Sequence, residues 1–140
     1  MRISTSTLFS IVIHTRNRVE LLTQSISSFY KRAKYKANLE FIIVIDFDDV
    51  SMRNFFDFVS RNPYNIILVT KKRSNFLVRD FQNYGGQCST GKYIFGVNDE
   101  CIMTTWNWDQ ILMDKIEDFL KDKPDRLVYT VIDDGGHYPD

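Results

Sequence analysis

Phe41-Ile42-Ile43-Val44-Ile45 runs straight into Asp46-Phe47-Asp48-Asp49, and this junction decides the fold. An unbroken apolar run, mostly β-branched, has no polar face to offer water. It predicts a strand buried on both sides, as in parallel sheets covered by helices. The abrupt change to carboxylates predicts a loop at the strand's carboxyl end. A helix follows, with Asp49 or Ser51 as its N-cap and Phe55, Phe56 and Val59 on its inner face. Asn62-Pro63 breaks it.

The same alternation extends in both directions. Upstream, Leu8 to Ile13 reads as a buried strand ended by the polar loop His14-Thr15-Arg16-Asn17. Val19, Leu21, Leu22, Ser25, Ile26 and Phe29 then recur at helical spacing, and the basic run Lys31 to Lys36 suits a helix C-terminus. Downstream, Ile66 to Val69 is a third strand, followed by the polar loop Thr70 to Asn75. Phe76 to Cys88 has helical periodicity, interrupted at Gly85-Gly86. Tyr93 to Val97 is a fourth strand ending in Asn98-Asp99-Glu100, and Trp108 to Leu120 is an amphipathic helix closed before Pro124. Leu127 to Ile132 reads as a fifth strand running into Asp133-Asp134-Gly135-Gly136, where Asp-Gly is first a turn signal; His137 reads as a surface residue. Strands alternating with helices give an α/β fold, a three-layer α/β/α sandwich around a mainly parallel sheet. With no repeats, linkers or low-complexity tracts, residues 1–140 form one domain.

Composition narrows the function. Lys plus Arg equals Asp plus Glu at 18 each, so no basic field points to nucleic acid or an anionic membrane. Cys88 and Cys101 lack the spacing of a zinc knuckle or a redox pair and read as reduced thiols. No apolar stretch is long enough for a membrane span, and the Ser/Thr-rich start is unlike a signal peptide. The cytosol is the expected compartment.

Ligands of open α/β sheets bind beyond the carboxyl ends of the strands. Three such ends carry chemistry here: His14 to Asn17, Asp46 to Asp49, and Asn98 to Glu100. Each acidic cluster taken alone is a turn or a helix cap. Brought onto one rim they repel each other, and a hard divalent cation with oxygen ligands and room for phosphate oxygens answers that repulsion.

The same segments resemble the inverting family 2 glycosyltransferases of GT-A fold. Ser10 to Arg18 is similar to that family's opening strand and Pro-Thr-x-Asn-Arg loop, with His14 where Pro is usual. Phe41 to Asp49 resembles its second strand. Gln82-Asn83-Tyr84-Gly85 and Thr90-Gly91-Lys92-Tyr93-Ile94 resemble its Arg-Asn-x-Gly and Ala-x-Gly-x-Tyr-Ile segments. Asn98-Asp99-Glu100 stands at its Asp-x-Asp metal motif, and Trp106 to Asp109 resembles the Trp-Asp start of its next helix. The likeness covers about residues 8 to 132.

The resemblance implies a nucleotide diphosphate-sugar as ligand, commonly a UDP-sugar, with Mn2+ or Mg2+ bridging its phosphates. It assigns Asp46 to the nucleobase, with Asp48, Thr15 and Asn17 lining the same pocket. Asn98, Asp99 and Glu100 form the metal motif, and Asp99 also borders the donor. Gln82 replaces an arginine that contacts phosphate; Arg79, or Lys71, Lys72 and Arg73, are the expected substitutes. Gly85 and Gly91 read as backbone punctuation and Asn83 as structural. Trp106 and Trp108 read as core or lid aromatics. Inverting transfer also needs a general base that deprotonates the acceptor, and the family carries it well beyond the metal motif. The expectation is therefore the donor-binding portion of a glycosyltransferase, with the acceptor-binding part outside this sequence and a homodimer as one way to complete it. A non-catalytic nucleotide-sugar-binding module is the alternative. A nucleotidyltransferase fits less well, since the loop after the first strand contains no glycine.

Overall fold

The computed structural model describes residues 6–72 and 78–122, and for Val78 and Arg79 the backbone alone. The expected strand at 127–132, the turn at 133–136, His137 and Arg73 lie outside the described residues. Four strands, β1 (Phe9–Thr15), β2 (Leu39–Asp46), β3 (Ile66–Lys71) and β4 (Tyr93–Asn98), form one parallel sheet in the order β3-β2-β1-β4. The helices are α1 (Val19–Arg32), α2 (Met52–Ser60), α3 (Asn83–Gln87) and α4 (Trp108–Leu120).

The two central strands are the two unbroken apolar runs. Every residue of β2 is buried, and so is β1 except for the half-buried His14, because helices cover both faces. On one face Ile11, Ile13, Phe41, Ile43 and Ile45 pack against Leu22, Ile26 and Phe29 of α1, Phe55 of α2 and Trp108 of α4. On the other, Val12, Ile42 and Val44 meet Phe81, Tyr84 and Cys88. The sheet is thus the middle of three layers. The predicted helix at 76–88 is observed as a π-helical turn over Val78–Gln82 that continues into α3. Gly85 lies inside α3 rather than at its end. A Cβ there would come 2.4 Å from Val12 Cγ1 and 2.9 Å from Val44 Cγ2, so glycine is what lets the helix touch the sheet. Gly85→Ala is expected to cost about 1–3 kcal/mol by overpacking, measurable as a lower midpoint in urea.

Parallel register brings the strand ends level. His14 is paired with Val44 on one side and Asn98 on the other, Thr15 with Ile45, and Asp46 with Lys71. At the opposite end, Glu40 is buried as an acceptor for Ser10 Oγ at 2.5 Å, Thr90 N at 2.6 Å and Thr90 Oγ1 at 2.8 Å. Burial alone would raise its pKa. The hydrogen bonds from Ser10, Thr90 and Gly91 outweigh it and hold the carboxyl below its ordinary value of 4.5. A carboxyl depressed in the folded state stabilises the fold above the unfolded pKa, and that contribution is lost as pH falls through the lower folded value. The gap in melting temperature between the natural chain and Glu40→Gln is therefore expected to be full at pH 6 and to narrow toward pH 3. A thermal-melt series across that range checks it.

Both tryptophans find places consistent with their chemistry. Trp108 is core, and its indole N–H donates to the Phe29 carbonyl at 2.8 Å. Trp106 is exposed beneath the guanidinium of Arg32, 5.5 Å from the ring centre. Asp109, fully buried, accepts the backbone N–H groups of Lys34 and Tyr35 at 2.8 Å each and ties α4 to the segment after α1. Cys88 and Cys101 are free thiols.

Candidate functional site

The strand order reverses at β1, which lies between β2 and β4, and a reversal of this kind is a topological switch point, where ligands of such sheets bind. The loop after β1 must therefore lie between the acidic loops after β2 and β4. It carries Arg16 and Arg18, and each arginine reaches to one side.

Arg16 Nη1 donates to Asp46 Oδ2 at 2.7 Å and to Asp48 Oδ1 at 2.8 Å. The two carboxylates bonded to Arg16 push its pKa further up. Arg18 Nη1 lies 3.3 Å from Asp99 Oδ1 and 3.8 Å from Glu100 Oε2. Asp99 is buried because its other oxygen, Oδ2, accepts the hydroxyl proton of Thr15 at 2.9 Å. Asn17 occupies the left-handed region at φ 53°, a conformation asparagine tolerates, and its amide donates to Asp49 Oδ2 at 2.9 Å. Asp49 Oδ1 accepts from both the amide and the hydroxyl of Ser51. It thus serves as the brace at the start of α2, while Ser51 makes no side-chain cap. Burial works against ionisation of Asp49, but the bonds from Ser51 and Asn17 and the nearby Arg16 lower its pKa on balance.

Beneath this rim sit two polar atoms that face each other without a hydrogen bond. Asp46 Oδ1 and His14 Nε2 are both buried without a hydrogen bond, 3.7 Å apart. The His14 ring stacks on Phe81 with centroids 4.0 Å apart. Burial lowers the His14 pKa more than Asp46 and Asp99 raise it. Asp46 itself is only 2% exposed. A buried carboxylate oxygen with nothing donating to it is costly, and a ligand N–H would remove that cost.

Of the residues expected at the site, the structure gathers Asp46 and Asp48 around Arg16, and Thr15, Asp99 and Glu100 into a second set with Arg18, while Asn17 is joined to Asp49 through its amide. Asn98 ends β4 as an exposed residue, and its carbonyl accepts the amide of Cys101. Gln82 lies across β4, where a Cβ on Gly96 would be 2.8 Å from its Oε1, two residues short of Asn98. The side chain of Arg79 is outside the described residues. Lys71 belongs to β3 and lies over the Tyr84 ring at 4.5 Å, and Lys72 is exposed. Asn83 is exposed as well.

Sequence reasoning looked for positive charge in the segment after β3 and missed the two arginines of the β1–α1 loop. The signal was available. In a sheet with β1 in the middle, alternate cations after that strand face the acidic loops on either side.

A divalent cation finds two carboxylates here. A single guanidinium nitrogen lies within 4 Å of both Asp99 and Glu100, so their oxygens converge on one point where a positive charge stands. No group of three His, Cys, Asp or Glu side chains suited to a metal occurs among the described residues. Asp99 and Glu100 are the residues that would hold a hard cation here, with its remaining positions left to other oxygen ligands. A shallow depression at the other end of β4, lined by Lys92, Tyr93, Glu117, Leu120 and Lys121, contains no part of this network.

The architecture matches known structures. Two structures of S. aureus TarS 1-349 superpose with a TM-score of 0.62, one of TarS by itself at 18% identity and one in complex with UDP at 16%. Each match covers 83% of this chain. The fold is that of the N-terminal part of a GT-A glycosyltransferase. TarS is a family 2 glycosyltransferase, and this chain spans 33% and 32% of the two TarS chains, about a third of their length. No family model matches the sequence, and no curated protein matches it. Among the described residues no helix is long and apolar enough to cross a membrane.

Proposed function

We propose that the rim formed by the loops after β1, β2 and β4 binds a nucleotide diphosphate-sugar, as the donor-binding portion of a glycosyltransferase. The observation that carries this reading is the pair of atoms without a hydrogen bond, Asp46 Oδ1 and His14 Nε2, buried at the switch point of the sheet. An acceptor and a ring nitrogen side by side suit the edge of a nucleobase, which carries donors and acceptors next to one another. Arg16 covers Asp46 from solvent and must move aside for the base to enter. Farther along the rim, Mn2+ or Mg2+ on Asp99 and Glu100 would supply charge neutralisation for the diphosphate as it leaves the sugar. Thr15 holds Asp99 in place for that task. The UDP bound to TarS, whose fold this chain shares, makes UDP the first nucleotide to try.

The test is calorimetric titration of the chain with UDP, GDP and dTDP, each with and without Mn2+. Saturable binding of one of them, stronger in Mn2+, is the expected result, and no binding by a folded chain would contradict the proposal. The absence of an arginine at Gln82 favours a second reading, a module that binds the donor without transferring its sugar. Slow release of UDP from a UDP-sugar, monitored by a coupled assay, separates the two: release supports transfer chemistry, and binding without release supports the module.

A further inference from the structure

Arg18 stands where the metal is expected to stand. Its Nη1 faces Asp99 Oδ1 at 3.3 Å and Glu100 Oε2 at 3.8 Å. Thr15 Oγ1 already bonds the other oxygen of Asp99, and the side chain is buried. A divalent cation approaching Asp99 Oδ1 therefore meets the guanidinium at the same oxygen, and two positive charges at that separation repel strongly. Arg18, by contrast, is able to leave. Its side chain is 54% exposed, and it precedes the first turn of α1 on a long flexible stem.

We propose that Arg18 is a displaceable internal counter-ion that competes with the divalent metal for Asp99 and Glu100. The fate of the guanidinium after displacement rests on the donor-site reading. The metal alone releases the guanidinium only to water. A metal arriving with a diphosphate supplies the released guanidinium with new phosphate oxygens, which its planar fork suits. Cation and nucleotide then bind together, and by linkage each raises the affinity of the other by the same factor. The device keeps two neighbouring carboxylates satisfied before the donor comes, and it holds a phosphate-binding cation ready beside the site.

The experiment measures Mn2+ binding by the electron paramagnetic resonance signal of the free ion, with and without UDP, for the natural chain, Arg18→Gln, Arg18→Lys and Asp99→Asn. Without UDP, Arg18→Gln is expected to bind Mn2+ about tenfold more tightly than the natural chain, a modest factor because the arginine is half exposed. Arg18→Lys is expected to keep the weak binding of the natural chain, and Asp99→Asn to bind least. With Mn2+ at saturation, Arg18→Gln is expected to bind UDP about tenfold more weakly, having lost the guanidinium that meets the diphosphate. Equal or weaker Mn2+ binding by Arg18→Gln would overturn the competition, as would no Mn2+ binding by any form. Tighter Mn2+ binding by Arg18→Gln with no UDP binding by any form would sustain the competition and overturn the donor-site reading. Melting curves confirm that each variant is folded, which the exposure of Arg18 favours.

Discussion

Asp46→Ala is expected to lower UDP affinity on the order of 100-fold while leaving the sheet intact. Asp46 is the one carboxylate of the rim that is nearly inaccessible and yet has an oxygen without a donor. A charged acceptor in such a place gains about 1.5–3 kcal/mol from a ligand N–H, which corresponds to roughly one to two powers of ten in affinity. The alanine variant also releases Arg16, whose Nη1 keeps Asp48 as partner, so the loop does not lose its anchor. Asp46→Asn retains shape and one acceptor, and a loss of about tenfold is expected. Calorimetry in saturating Mn2+, paired with thermal melts, separates loss of binding from loss of fold. Equal affinity in all three forms would remove Asp46 from the site.

The second large effect concerns stability. Glu40→Ala is expected to destabilise the fold by about 3 kcal/mol or more. It removes the acceptor for Ser10 Oγ, Thr90 N and Thr90 Oγ1 at once, in a position that water does not reach. Ser10 in turn accepts the Gly91 amide at 2.8 Å, so the loss spreads along the turn that leads into β4. Urea unfolding monitored by tryptophan fluorescence measures it, with Trp108 in the core as the reporter. A midpoint within error of the natural chain would show that water replaces the carboxylate freely. UDP affinity should survive in the folded fraction, because Glu40 sits near the start of β2 and the rim at its end.

The parts of the fold that were legible in the sequence share one cause. β1 and β2 are buried on both faces, so their residues had to be apolar without alternation, and the acidic or polar residue that ended each run marked the rim directly. α4 was legible to the residue because its periodicity and Pro124 bounded it. The segment from Phe76 to Cys88 was less so. Its apolar spacing signals a helix, but a π-helical turn changes which residues face the sheet, and nothing in the spacing announces an extra residue in a turn. Gly85 misled for a related reason. A glycine near a helix end usually closes the helix, whereas here it marks close approach of α3 to Val12 and Val44.

At the site, the acidic residues were legible because carboxylates after buried strands need a reason to be there. Which carboxylate would be buried was not. Asp99, the middle residue of Asn98-Asp99-Glu100, is the one turned inward, since Thr15 on the neighbouring strand end offers it a hydroxyl. That contact depends on β1 lying beside β4, a fact of topology that no short motif states. The arginines were missed on the same ground. Arg16 and Arg18 are unremarkable in sequence, and they acquire meaning only when β1 is known to be the middle strand with an acidic loop on each side. His14 likewise gains interest from its stack on Phe81 and its Nε2 without a hydrogen bond rather than from its neighbours in sequence.

A nucleotide site on the rim at the strand carboxyl ends is tested most directly by titrating the nitrogen-15-labelled chain with UDP and Mg2+ and reading the amide chemical shifts. The shifts are expected to cluster at His14 to Val19, Asp46 to Asp49 and Asn98 to Cys101, with a further response at Phe81 under the His14 ring. Shifts confined to Lys92, Glu117 and Lys121 at the other end of β4, or no saturable shifts at all, would contradict such a site.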